Sequence, residues 1–271
     1  MRWHDGFAFG TLAFYEILTE NSHPLQPPFP LESLQMNPFD HAITTFLNQF
    51  AHRSYLLDSG IQWVAGDTIL KGCVVVASVW WAWFERDEER AVERRSRLIA
   101  TLMACVVAVL LARGMALSLP FRHRPIHEPL LEFTPPYNVV PETLTGWSSF
   151  PSDHAVLFYG LATGVFLASR RLGLLMLVYV TCVIGFSRVY IGYHYPTDIL
   201  AGALIGALAV GLANVRPLRE PLTRPAMWWL DGHASSFYAA LFLLTFQMAD
   251  VFTSGRELAG AVFKALKEIV S

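Results

Sequence analysis

Charge is what this sequence has least of. Asp, Glu, Lys and Arg make up 15% of its 271 residues, against roughly 25% in a soluble domain. The 20 basic and 22 acidic residues leave a formal net charge of −2. Without a basic excess the chain has no electrostatic footprint for nucleic acid. Cysteine is scarce too. Cys73, Cys105 and Cys182 lie in apolar runs, and no spacing among them matches a zinc site, so they read as small buried apolar side chains. Gly at 18 and Pro at 16 are ordinary, which excludes collagen-like and low-complexity chains. The stretch Met1 to Gly6 lacks the basic start of a cleaved signal peptide.

What remains is apolar. Hydrophobic residues make up 54% of the chain, which argues against disorder. The runs predict an all-α fold, a polytopic helical membrane bundle of about six transmembrane helices. The candidate spans are 68–84, 98–119, 155–168, 172–189, 199–213 and 237–252. Several are short of the ~20 residues a bilayer needs and must extend into flanking aromatic residues. Residues 6–18 are too short to cross and read as an aromatic-rich interfacial segment. The five prolines of 21–38 read as a loop. Asn37-Pro38-Phe39-Asp40 predicts a helix start. Ile43, Phe46, Leu47 and Phe50 then follow at helical spacing, which suggests a helix flat on the membrane surface. The plan is an N-terminal extension with interfacial helices (1–53), a bundle (54–254) and a C-terminal tail (255–271).

Arginine sets the expected orientation. Arg86, Arg90, Arg94, Arg95 and Arg97 fall in the first connection, Arg170 and Arg171 in the third, and Arg216, Arg219 and Arg224 in the fifth. With six spans these share one side, and basic excess marks the cytoplasm. The connections at 120–153 and 188–198 then face outward, and they carry the unusual polar residues.

His194 and Asp198 are four apart around Pro196, a favoured first residue of a helix. One face would hold imidazole and carboxylate together, leaving a ring nitrogen free as a nucleophile. An interfacial ion pair at a helix start is the plainer reading. Ser152 suits an N-cap, and His154 follows in the first turn, where free N–H groups can hold phosphate. A histidine there can protonate a leaving oxygen and later activate water. Arg124 and Arg188 suit phosphate oxygens; either alone would also suit a lipid headgroup. Arg113, inside an apolar run, is either functional or ion-paired. Gly160-x-x-x-Gly164 and Gly202-x-x-x-Gly206 predict close packing of the third and fifth spans, with dimerisation as the rival.

Three blocks resemble the signature of the type 2 phosphatidic acid phosphatase superfamily. Ser187-Arg188-x5-His194-x3-Asp198 matches in full. Pro151-Ser152-Asp153-His154 has Asp153 where the family has Gly. Arg124-Pro125 matches, but Leu117 stands where a Lys is expected seven residues earlier. Arg122 is the nearer substitute for that Lys and Arg113 the farther. The pattern looks most like bacterial undecaprenyl-diphosphate phosphatases. The resemblance implies that His194 attacks phosphorus to form a phosphohistidine, Asp198 orients it, and His154 is the acid and then the base. It further implies that Arg124, Arg188, Ser152 and Arg122 hold phosphate oxygens. No metal or other cofactor is implied, and no carboxylate cluster for a metal is visible. The expected partners are a lipid phosphate or diphosphate and membrane lipids, with the site outside a bacterial plasma membrane. The rivals are a phosphatidic-acid or phosphatidylglycerophosphate phosphatase, a lipid phosphotransferase, and an inactive lipid-binding protein.

Overall fold

Helix-start signals in the sequence are used as written. In the computed structural model, which describes residues 36–255, 257, 258 and 261, α1 spans Pro38–Asn48, with Asn37 as N-cap accepting from the Asp40 N–H at 2.8 Å. The expected segment at 6–18, and most of the 21–38 loop and of the tail, lie outside the described residues. After α1 come α2 (Tyr55–Gly66) and α3 (Ile69–Trp83). α4 covers Glu88–Ser118, α5 Asp153–Ala168, α6 Arg170–Tyr190 and α7 Pro196–Ala213. The last two are α8 (Arg216–Gly232) and α9 (Ala234–Ala249). Asp87 caps α4, and Glu88 and Glu89 follow in its first turn, where acidic side chains complement the helix dipole.

The all-helical expectation holds among the described residues, but six spans are not confirmed. Three helices, α4, α6 and α7, are long and apolar enough to cross a membrane. A fourth arises if α2 and α3, bent by 63°, count as one broken span. α5 and α9 are apolar but 16 residues each, about 24 Å at 1.5 Å per residue, short of a ~30 Å hydrocarbon core. Hydropathy alone ranks such helices with spans. α5 is instead the centre of the bundle: Val156, Leu157, Phe158, Leu161 and Val165 are all fully buried.

Two helices lie outside the six-span reading. α2 falls in a stretch that carries Asp58 and Gln62 among its apolar residues. α8 contains Pro221 and Pro225 and buries Arg219 and Thr223, so neither hydropathy nor breaker residues reveal it. At that end of the bundle Arg97 donates to the Leu167 carbonyl (2.8 Å), and Arg219 lies 3.4 Å from Glu93. The basic connections of the sequence therefore gather at one end of α4, and Arg113 and Arg124 belong to the other.

The glycine pairs act inside the chain. A Cβ on Gly202 would lie 2.7 Å from the Ser152 carbonyl oxygen, and one on Gly206 would collide with the Val156 carbonyl. α7 thus rests on the α5 backbone. The pairing is only partly as expected, because Gly164 faces Thr101 of α4 instead of α7. A Gly206→Leu substitution overpacks this contact, which costs about 1–3 kcal/mol or more. Its expected result is a clearly lower melting temperature in detergent, with an unchanged melting temperature as the contrary outcome.

Candidate active site

Three chain segments meet at the end of the bundle opposite the Arg219 cluster. They are the segment after α4, the segment entering α5, and the turn joining α6 to α7. Backbone hydrogen bonds sew them together: Ser149 N–H to Arg122 (3.0 Å), Ile126 N–H to Gly192 (3.0 Å) and Ser152 N–H to Asp198 (3.3 Å). Gly192 makes the turn possible. Its φ is +77°, and a Cβ there would meet the Phe133 ring at 2.6 Å.

His194 lies in this turn, two residues before α7 begins, and is 5% exposed. Its Nδ1 donates to the Ser149 carbonyl at 2.8 Å. A carbonyl only accepts, so Nδ1 carries the proton and Nε2 carries the lone pair. That nitrogen lies 3.4 Å from Arg124 Nη1. The expected partner, Asp198, is 3.8 Å from Nδ1, beyond hydrogen-bond range. The reason is that His194 precedes the helix, so helical i, i+4 geometry does not apply. Asp198 supplies charge, and Ser149 sets the tautomer. Burial above all, and then Arg124, push the His194 imidazole below its ordinary value of 6.5, with Asp198 opposing them.

Asp198 is fully buried and answers chiefly to other groups. It accepts the Tyr195 N–H (2.8 Å) at the start of α7 and Arg122 Nη1 (2.5 Å). Arg122 also donates to Thr197 Oγ1 (3.0 Å) and, through Nη2, to Asp40 (2.6 Å). Its guanidinium stacks 4.2 Å over the Tyr195 ring. Arg122, expected on phosphate, bridges two carboxylates here. Asp40 is the residue that sequence reasoning missed. It is fully buried and also accepts the Thr197 N–H (2.9 Å). α1 accordingly buries Asp40 and Thr44 toward α6 and α7 and leaves Phe46 57% exposed. Its inner face is mixed: Leu47 packs on Ala155, Val189 and Ile199 from the same side as Asp40 and Thr44. Asp58 of α2 does similar work, accepting from the Tyr190 hydroxyl (2.5 Å), His52 N–H (2.9 Å) and Tyr137 N–H (3.1 Å).

The remaining motif residues do converge. Arg188 is 7% exposed and donates through Nη2 to His154 Nε2 (2.8 Å) and to the Ala65 carbonyl (3.0 Å). Arg124 is 6% exposed and donates to the carbonyls of Tyr193 (2.6 Å), Ser148 (3.1 Å) and Trp147 (3.2 Å). Burial lowers its guanidinium to about 10, so it stays charged at neutral pH. Ser152 caps α5 by accepting from Ala155 N–H at 3.5 Å, as its N-cap reading required. The buried Ser149 hydroxyl has no hydrogen-bond partner among the described residues. Asp153, where the family has Gly, forms an ion pair with Arg113, whose guanidinium lies 5.2 Å over the Trp147 ring. That neutralises the added charge and occupies Arg113. Leu117 is 89% exposed and contributes nothing here. No group of three or more His, Cys, Asp or Glu suited to a metal occurs among the described residues.

A buried histidine, His194, and a half-buried one, His154, each beside a buried arginine near a helix end, define a phosphate-handling class of site. Residues 118–219 match the family model described as PAP2 superfamily. The chain is similar to the bacitracin transport permease protein BcrC of Bacillus licheniformis, 36% identical over 120 residues, 44% of this chain and 55% of the relative. It is also similar to the undecaprenyl-diphosphatase BcrC of Bacillus subtilis, 33% identical over 69 residues, 26% of this chain and 35% of the relative. A third relative is the undecaprenyl-diphosphatase of Sulfolobus acidocaldarius, 30% identical over 76 residues, 27% of this chain and 37% of the relative. The chain spans between about a third and about half of the length of these relatives. No solved structure matches it.

Proposed function

We propose that this protein is a membrane lipid phosphatase that hydrolyses a polyprenyl diphosphate to the monophosphate. The observation that carries the reading is the His194 imidazole. Its Nδ1 proton is held by a carbonyl, and its Nε2 lone pair faces a buried guanidinium. That lone pair forms a bond to the terminal phosphorus while the P–O bond to the leaving group breaks. The leaving oxygen takes a proton from His154. Water then attacks the phosphohistidine, its proton passes to His154, and the P–N bond breaks, returning the lone pair to His194. Arg124 and Arg188 offset the charge on the phosphoryl oxygens, the largest source of rate in such sites. A phosphate that accepts from Arg188 competes with His154 for the same N–H, and its negative charge favours a proton on the freed ring nitrogen.

Relatives named undecaprenyl-diphosphatase support the prenyl diphosphate over a glycerolipid. The test is phosphate release by detergent-purified protein with chelator present. Undecaprenyl diphosphate is expected to be the best substrate among it, undecaprenyl phosphate, phosphatidic acid and phosphatidylglycerophosphate. A glycerolipid preference would overturn the substrate, and no release from any would overturn the phosphatase.

The nucleophile must be neutral, and the His194 pKa lies below 6.5. The acid limb of kcat/KM against pH is therefore expected below 6.5. Asp198 raises that pKa, so Asp198→Asn is expected to move the limb lower still while reducing the rate. A limb that moves upward would contradict this.

The site belongs on the extracytoplasmic side of a bacterial plasma membrane. The arginine-rich connections at the other end of the bundle support this through the positive-inside rule. Reporter fusions after Arg95 and after Glu142 are expected to report inside and outside respectively. Two inside results would overturn the orientation.

A further inference from the structure

One arginine at the edge of the site is only partly used. Arg113 lies on α4, close to the end of the helix at Ser118. Its Nη2 pairs with Asp153, and its guanidinium lies 5.2 Å over the Trp147 ring. No described residue accepts from its Nε or Nη1. The side chain is 31% exposed, so this free edge is open to a ligand. A charge kept at membrane depth is costly and marks a functional position by default.

Both contacts tie Arg113 to the site. Asp153 immediately precedes His154 in the first turn of α5, so the guanidinium is held one residue from the proton donor. The Trp147 carbonyl accepts Arg124 Nε at 3.2 Å, so the residue under Arg113 also holds an arginine of the site. His194 has no such link to Arg113: its ring meets Ser149, Arg124 and Asp198.

The opposite side of Arg113 faces lipid. Leu110 and Leu117 stand three residues before it and four after, on the same helical face, and are 66% and 89% exposed. α4 is long and apolar enough to cross a membrane, so this stripe meets lipid chains. Arg113 is thus the cation between the lipid-facing stripe and the first turn of α5. In an in-line displacement the leaving group lies opposite the nucleophile. With His194 attacking and His154 giving the proton, that is the side on which Asp153 holds Arg113.

We propose that Arg113 binds the lipid-attached phosphate of a diphosphate substrate through the edge that Asp153 leaves free, and makes the site prefer diphosphates to monophosphates. This rests on the phosphatase reading above. The bridging P–O bond breaks with its electron pair on the bridging oxygen, which takes the His154 proton. The lipid monophosphate that departs is an anion, and Arg113 holds it as it forms. A monophosphate ester places a neutral alcohol there instead, with no anion for Arg113 to hold.

The test compares farnesyl diphosphate with farnesyl monophosphate on the full chain in detergent. Arg113→Gln is expected to lower kcat/KM for the diphosphate roughly tenfold to a hundredfold, the worth of a hydrogen bond to a charged group, and to change the monophosphate value by less than about threefold. Asp153→Asn frees the whole guanidinium and is expected to keep the preference for the diphosphate. A merely structural ion pair would suffer alike from either side, so loss of the preference in Asp153→Asn overturns the proposal. Arg113→Gln also strands the Asp153 carboxylate, which would itself repel a diphosphate. The double variant Arg113→Gln with Asp153→Asn removes that charge, and serves as well should Arg113→Gln not fold. It is expected to show the same selective loss, and a double variant with the wild-type preference overturns the proposal. Equal loss on both substrates in Arg113→Gln overturns it too, and so does an unchanged ratio. A wild type that releases phosphate from neither substrate overturns the phosphatase reading itself.

Discussion

Replacing His194 with alanine is expected to reduce phosphate release by about 10³- to 10⁶-fold, the range seen when a nucleophile is deleted from a site whose other parts remain. Arg124 and Arg188 would still attract the anion, so binding should suffer less than kcat. Alanine also strips the Ser149 carbonyl of its donor, and an unpaired buried acceptor costs about 1–3 kcal/mol. A loss of activity with alanine alone would therefore mix chemistry with stability. His194→Asn separates them. Its amide can donate to the same carbonyl, but it offers no nucleophilic nitrogen. It is expected to melt close to the wild type and to be as inactive as alanine. Measured release from His194→Asn within tenfold of the wild type would contradict the mechanism.

The second large effect is one of stability. Arg122→Met is expected to destabilise the fold by about 3–5 kcal/mol, the usual cost of removing one partner of a buried charge cluster. Asp40 and Asp198 are both fully buried, and Arg122 is the cation that bridges them. Without it, two carboxylates face each other across the start of α7 with only N–H and hydroxyl donors. One of them would have to take a proton, so the loss should be smaller at low pH. Adding Asp40→Asn to Arg122→Met removes one of the stranded charges and is expected to recover part of the stability. Thermal melting across pH measures both effects. A variant that melts like the wild type at neutral pH would show that Arg122 does not hold this cluster.

The motif residues of the site were legible because chemistry constrains their type and spacing. Arg124, His154, Arg188, His194 and Asp198 stand where three short blocks put them, and the structure brings those blocks to one end of the bundle. What the blocks could not convey is which partner each side chain meets. Ser149 holds the imidazole of His194, although spacing pointed to Asp198, because the helix begins only after the histidine. Asp40 and Arg122 are 82 positions apart, and Tyr190 and Asp58 are 132 apart. No local pattern encodes such contacts. The Asn37-Pro38 helix start was readable, but its inner face was not: an apolar stripe suggested lipid, while Asp40 turns inward to an arginine and Leu47 of that stripe packs on Ala155, Val189 and Ile199. Six spans are not confirmed, for a related reason. Apolar content identifies burial without saying whether lipid or protein does the burying, and α5 is buried by the rest of the bundle.

The central claim is that phosphate leaves the substrate by way of His194. The measurement that tests it most directly is rapid alkaline quenching of turnover with a substrate labelled at its terminal phosphate, since a phosphohistidine survives base and is lost in acid. The account predicts label on the peptide that contains His194 in the wild type, and none in His194→Asn. Phosphate released at full rate with no label on the protein would contradict it, and so would label that persists in His194→Asn.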